Sequence, residues 1–160
     1  MKPYLYLSAA LLLAITMWAC NSSKVPSEKE LAKEQNIREK VEQKDFSIEV
    51  TQANPMRGKS INLSFGYDLK MKNDSVYAYL PYYGVAHSAP YGGDGGIKFA
   101  TLMTDYTLFP IKDGWDIRFK ANTREYNYDV LLNVFKNGSS TISVTTYQRD
   151  PISFYGRIIE

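Results

Sequence analysis

The sequence predicts a mainly β fold: an antiparallel meander of about eight strands forming a lipocalin-like barrel or half-barrel, with one N-terminal helix and a β-sandwich as the alternative. Three observations carry this prediction. From Asp45 onward apolar side chains recur at every second position, the period of a half-buried strand. Turn residues, as in Asn73-Asp74, Lys112-Asp113-Gly114 and Asn137-Gly138, punctuate the pattern at short intervals. No helical period intervenes between the strands, and a parallel sheet would need such crossovers. A meander this long must curl, because open edges invite unwanted pairing.

Residues 1–19 precede the fold. Lys2 supplies the only charge, an apolar run extends from about Tyr4 to Trp18, and small Ala19 precedes Cys20. The run has signal-peptide length and is short of the roughly 20 apolar residues a spanning helix needs. Cys20 is the only cysteine in the chain. It stands where bacterial lipoproteins are cut and acylated, although Met17 and Trp18 depart from the usual residues of that cleavage site. The expectation is a signal peptide over 1–19, a lipidated Cys20 with a linker over 20–27, and one β-rich domain over 28–160. Asn21, rather than Asp, follows Cys20, and the first acid is Glu28. The expected anchor is therefore in the outer membrane facing the periplasm, with the cell surface as the alternative. A lone cysteine allows no disulfide within the chain, so stability must come from a hydrophobic core, which a domain of this size can supply.

Ser27-Glu28-Lys29-Glu30 reads as a capping box with Ser27 as N-cap. The helix it opens runs to about Lys44. Its apolar stripe is thin, comprising Leu31, Ala32, Ile37 and Val41, so it packs loosely or stands as a solvated spacer. Phe46, Ile48 and Val50 then alternate with polar residues in a first strand. Ile61, Leu63, Phe65, Tyr67, Leu69 and Met71 make a long second strand, and the turn Asn73-Asp74 leads into a strand over 75–83. Further strands read at about 97–100, 104–111, 115–121, 125–136, 139–147 and 152–159, with Gln148-Arg149-Asp150-Pro151 as the last turn. A barrel of this size either fills its interior with side chains or holds one small ligand.

The segment between Tyr79 and Phe99 stands apart. It holds five of the ten glycines, two of the seven prolines and the single histidine. Long ordered loops in compact domains are often functional. Tyr82, Tyr83 and Tyr91 are placed to stack on a sugar or another flat apolar face, with His87 and Asp94 fixing polar groups. The plainer reading makes the glycines positive-φ turns, Asp94 a local cap and His87 a filler. Asp74-Ser75-Val76 is similar to an acceptor for O-glycosylation at Ser75, or is an ordinary hairpin turn.

The stretch SINLSFGYDLKMKNDSVYAYLPYYGVAHSAPYGGDGGIKF, together with the later YDVLLNVFKNGSSTISV, resembles the DUF4251 family of Bacteroidetes lipoproteins, a domain of unknown function. The resemblance covers roughly residues 28–160. It implies a secreted or lipid-anchored β-barrel-like domain and carries over no catalytic residue.

Several chemistries find no support. One histidine and an acylated cysteine cannot form a multi-ligand metal centre, and Asp94 lacks the spaced ligands of a calcium loop. Gly58-Lys59-Ser60 imitates the end of a phosphate-binding loop, but Ala53 occupies the first glycine position. His87 and Ser88 are adjacent, so on an extended segment their side chains diverge. No cofactor is expected. A net charge of +2 gives no footprint for nucleic acid. Asp129 faces either the interior or, by alternation with Val130, the solvent.

The expected function is that of an envelope lipoprotein, held to the membrane by the lipid on Cys20, binding a small hydrophobic or glycan ligand without catalysis. The rival is an interaction or structural component with a filled interior, binding an envelope protein through the helix over 27–44 and a sheet edge. A hydrolase using paired carboxylates is a third reading.

Overall fold

A computed structural model describes residues 27–64, 66–87 and 95–159. Helix α1 (Glu28–Glu42) is followed by nine strands: β1 (Asp45–Pro55), β2 (Ile61–Asn62), β3 (Asp68–Lys72), β4 (Ser75–Leu80), β5 (Ile97–Ile111), β6 (Gly114–Asn122), β7 (Asn127–Phe135), β8 (Ser139–Thr146) and β9 (Arg149–Ile159). The eight strands β1 and β3–β9 pair antiparallel with their chain neighbours, and β9 returns to β1 to close a barrel, so the sandwich alternative is set aside. Closure runs from Ser47 opposite Ile159 to Pro55 opposite Ile152, with a bulge in β1 between Val50 and Gln52.

The helix forms as its sequence dictates. The Ser27 hydroxyl accepts from the Glu30 amide, and the Glu30 carboxylate accepts from the Ser27 amide at 2.8 Å. The Ser27 amide first, and the Ser27 hydroxyl second, donate to the Glu30 carboxylate and hold it below its ordinary pKa. Of its side chains only Ile37 and Val41 are buried, while Leu31 is exposed, so the helix has a narrow apolar seat on the barrel.

The long second strand expected over Ile61–Met71 is broken. Ala53 faces Ile61 and Glu49 faces Asp68, so four steps along β1 oppose seven along its partner, and the surplus residues loop out. Gly66 allows this with φ +107°. Phe65 lies outside the described residues. The reverse correction applies to the strands expected at 97–100 and 104–111. They are one strand, bulged between Thr104 and Thr107, with Asp105 at φ +53°. The final turn also moves: it is Tyr147-Gln148, and Arg149, Asp150 and Pro151 begin β9. Strand β4 ends at Leu80, earlier than expected.

The alternation is obeyed elsewhere. Phe46, Ile48, Leu69, Met71, Val76, Ile117, Leu132, Ile142 and Phe154 point inward and meet in one hydrophobic cluster. Each such fully buried side chain contributes roughly 1.5–3 kcal/mol, which offsets the lack of a disulfide. Asp129 is exposed, so it supplies no carboxylate to the interior. Beyond Met103, β5 pairs only with β6 among the described strands. Pro110 and the Asp105 bulge fall in this one-sided stretch and blunt it against edge pairing.

The meander sorts its connections by end. The turns at 73–74, 112–113 and 136–138 lie at the end that holds α1. The connections 56–60, 81–96, 123–126 and 147–148 lie at the opposite end.

Candidate functional site

The loop end gathers the charged residues that the core excludes. Among the described residues, three polar or charged side chains are buried: Ser140, Arg149 and Asp150. The last two are neighbours at the start of β9. Local chain geometry brings their partners over them. Segment 85–87 lies antiparallel against the start of β9: the Asp150 amide donates to the Val85 carbonyl at 3.0 Å, and the His87 amide to Gln148 at 2.8 Å. Across the barrel mouth, the Thr123 hydroxyl accepts from the Tyr126 amide at 2.9 Å, a tight turn that fixes Tyr126 facing inward.

Arg149 is 4% exposed, and its guanidinium carbon sits 4.5 Å from the Tyr126 ring centre and 5.0 Å from that of Tyr82. One terminal nitrogen donates to the Gly95 carbonyl at 2.6 Å and the other to the Tyr126 hydroxyl at 2.9 Å. Among the described residues its Nε has no hydrogen-bond partner and no carboxylate pairs with it. A buried cation is costly, and here two ring faces and two oxygens share the burden. The aromatic contacts continue inward, from Tyr126 to Tyr128 at 5.6 Å and from Tyr128 to Phe99 at 5.0 Å.

Asp150 is 9% exposed. Its carboxylate lies 3.3 Å from His87 Nε2 and 3.9 Å from Arg57 Nε. The Tyr82 hydroxyl is within reach of the carbonyls of Val85 at 3.0 Å and Asp150 at 3.1 Å. Gly84 makes that fold possible, since a Cβ there would stand 2.6 Å from the Tyr82 hydroxyl oxygen. Burial, with the negative charge of Asp150 second, raises the Tyr82 pKa. Burial alone dominates at Tyr128, whose pKa is pushed up to about 12.

The structure places the sequence-derived candidates unevenly. Tyr82 lines the site, and the His87 side chain, 60% exposed, forms its rim beside Asp150. Tyr83 is 37% exposed on the same segment. Tyr91, Asp94 and Cys20 lie outside the described residues. Ser75 sits far away at the helix end, half-buried as the first residue of β4, while Asp74 in the turn pairs with Lys44 at 2.9 Å. Arg149, Asp150, Tyr126 and Arg57 were not anticipated. The available signal was an Arg-Asp pair directly preceding the last alternating strand.

Chemically the site offers stacking faces, a fixed guanidinium and a carboxylate flanked by two bases. Among the described residues no group of three or more His, Cys, Asp or Glu side chains is placed to hold a metal ion. No described helix is long and apolar enough to cross a membrane. Surface grooves lie outside the barrel, among them one across β5–β8, one along the acidic side of α1, and one between α1 and β9.

A family model described as a domain of unknown function, DUF4251, matches residues 28–158. Among solved structures, a DUF4251 family protein from Bacteroides eggerthii DSM 20697 is similar at a TM-score of 0.62 and 12% identity, over 80% of this chain and 87% of that one. At that identity the likeness concerns the fold alone. No curated protein matches the chain.

Proposed function

The chain belongs to the DUF4251 family, and we propose that it is a non-catalytic binding module of the bacterial envelope, tethered by a lipid on Cys20 and recognising its ligand at the loop end of the barrel. The observation that carries this reading is the placement of Arg149 and Asp150, two adjacent buried charges, beneath the segment that bears Tyr82, Tyr83 and His87. Buried charges are costly and are concentrated where binding needs them. The barrel interior is lined by packed apolar side chains, which argues for a ligand at the mouth rather than in the lumen. Tyrosine faces beside fixed charges suit a glycan or a small molecule with a flat apolar face and polar substituents. The tether follows from the apolar run ahead of Cys20, and Asn21 favours the outer membrane with the domain facing the periplasm.

Native mass spectrometry of the protein isolated from a bacterial envelope tests the ligand reading. A reproducible extra mass, lost on denaturation and absent from a Tyr83→Ala/His87→Ala variant, is expected. A clean apo mass for the unmodified protein sinks it.

A further inference from the structure

We propose that the groove between α1 and the end of β9 is a docking surface for the phosphate-bearing headgroups of an anionic lipid leaflet. The groove encloses about 520 Å³ and is walled by Lys29, Lys33, Lys40 and Arg157, with Ala32 and Ile37 as apolar floor. Among the described residues four cations line it and no acid does. The helix is divided by charge to produce this. Lys29, Lys33 and Lys40, spaced i, i+4, i+11, share the face toward β9, whereas Glu34, Glu39 and Glu42 line the groove on the other side. Among the described residues none of the four cations forms an ion pair. Lys40 Nζ makes one long contact, 3.5 Å to the Ile159 carbonyl. Like charges gathered at one spot repel, and an anionic partner removes that cost.

The occupant is argued from where the chain leads. The proposal rests on the tether reading: with a lipid on Cys20, the seven residues 21–27 reach at most about 25 Å. Lys29 and Lys33, on the first turns of α1, are thereby kept close to the leaflet that holds the lipid. The groove is at the opposite end of the barrel from the loop-end site, since α1 and the end of β9 lie together away from connections 81–96 and 147–148. Docking through the groove therefore turns Tyr83 and His87 away from the membrane. Each basic residue near an anionic surface contributes about fivefold to partition.

The test is co-sedimentation of the chain from Asn21 onward, which retains every described residue, with vesicles of phosphatidylcholine or of phosphatidylcholine plus phosphatidylglycerol. Preferential binding to the anionic vesicles, weakened by salt, is expected. A Lys29→Gln/Lys33→Gln/Arg157→Gln variant should lose about a hundredfold in partition, whereas Arg38→Gln, on the acidic side of the helix, should lose no more than a few fold. Circular dichroism and thermal melts confirm that both variants fold. Equal binding to both vesicle types overturns the proposal, as does an undiminished triple variant. So does displacement by inorganic phosphate beyond that of chloride at equal ionic strength, which would mark a soluble phosphate as the ligand. Intact mass of the full chain from a bacterial envelope reads acylation of Cys20 separately, so failure of the tether and failure of the groove are distinguishable.

Discussion

Gly156 on β9 lies so close to Glu49 on β1 that a Cβ added to it would stand 2.4 Å from the Glu49 carbonyl oxygen and 2.7 Å from the Ile48 side chain. This contact is at the seam where the last strand meets the first, beside the β1 bulge between Val50 and Gln52. The barrel closes there because one residue has no side chain.

Gly156→Ala is therefore expected to destabilise the fold by about 3 kcal/mol, since backbone rather than a flexible side chain must give way. Ser153→Ala on the same strand should stay within about 0.5 kcal/mol. Urea unfolding of the two variants decides the matter. Equal midpoints would mean that the seam is soft.

Arg149 is held by two rings and two oxygens, so the loss depends on what replaces it. Arg149→Ala removes packing and leaves Tyr126 and Gly95 unpaired at a cost of roughly 2–4 kcal/mol. Arg149→Met leaves the same two oxygens unpaired but keeps most of the volume and removes a buried charge, so it should cost about 1–2 kcal/mol less than Arg149→Ala. Chemical denaturation of both variants gives the comparison, and a larger loss for Met than for Ala would contradict it.

Phe154 is fully buried and faces Ile142 on β8 and Ala53 on β1. Phe154→Ala should cost about 3–5 kcal/mol. Because the interior is a single cluster, the unfolding transition should remain cooperative, read as coincident circular dichroism and tryptophan fluorescence curves.

Alkaline stability follows from Tyr128. Its pKa rises from 10.0 to about 12 on folding, so the folded state keeps a proton that the unfolded state releases. The contribution is full below pH 10 and is lost as pH rises toward 12. Tyr82 and Tyr106, both raised by burial, act in the same direction. Urea midpoints measured upward from pH 9 should fall, and Tyr128→Phe should flatten the slope. An unchanged slope in that variant would remove Tyr128 as the cause.

Elements that obey local rules are legible in the chain alone. The Ser27–Glu30 capping box, the hairpin turns at Asn73-Asp74 and Asn137-Gly138, and the inward set Phe46, Ile48 and Val50 depend on neighbours within a few residues. Periodicity reports which face of a strand meets the core, and chain order in a meander supplies the neighbours. Other features depend on contacts distant in sequence. Closure of β9 onto β1 is a register between residues about a hundred positions apart, and alternation carries no record of it. The break between Ile61 and Asp68 arises because β1 dictates spacing to its partner, although the segment's own pattern is unbroken. The site was half legible for the same reason. Tyr82 and His87 stood out in an unusual loop, but Arg149 and Asp150 resemble a solvated turn until the 85–87 segment and Tyr126 cover them. A charge is read as exposed from its own chemistry, and its burial is set by groups that the local sequence does not name.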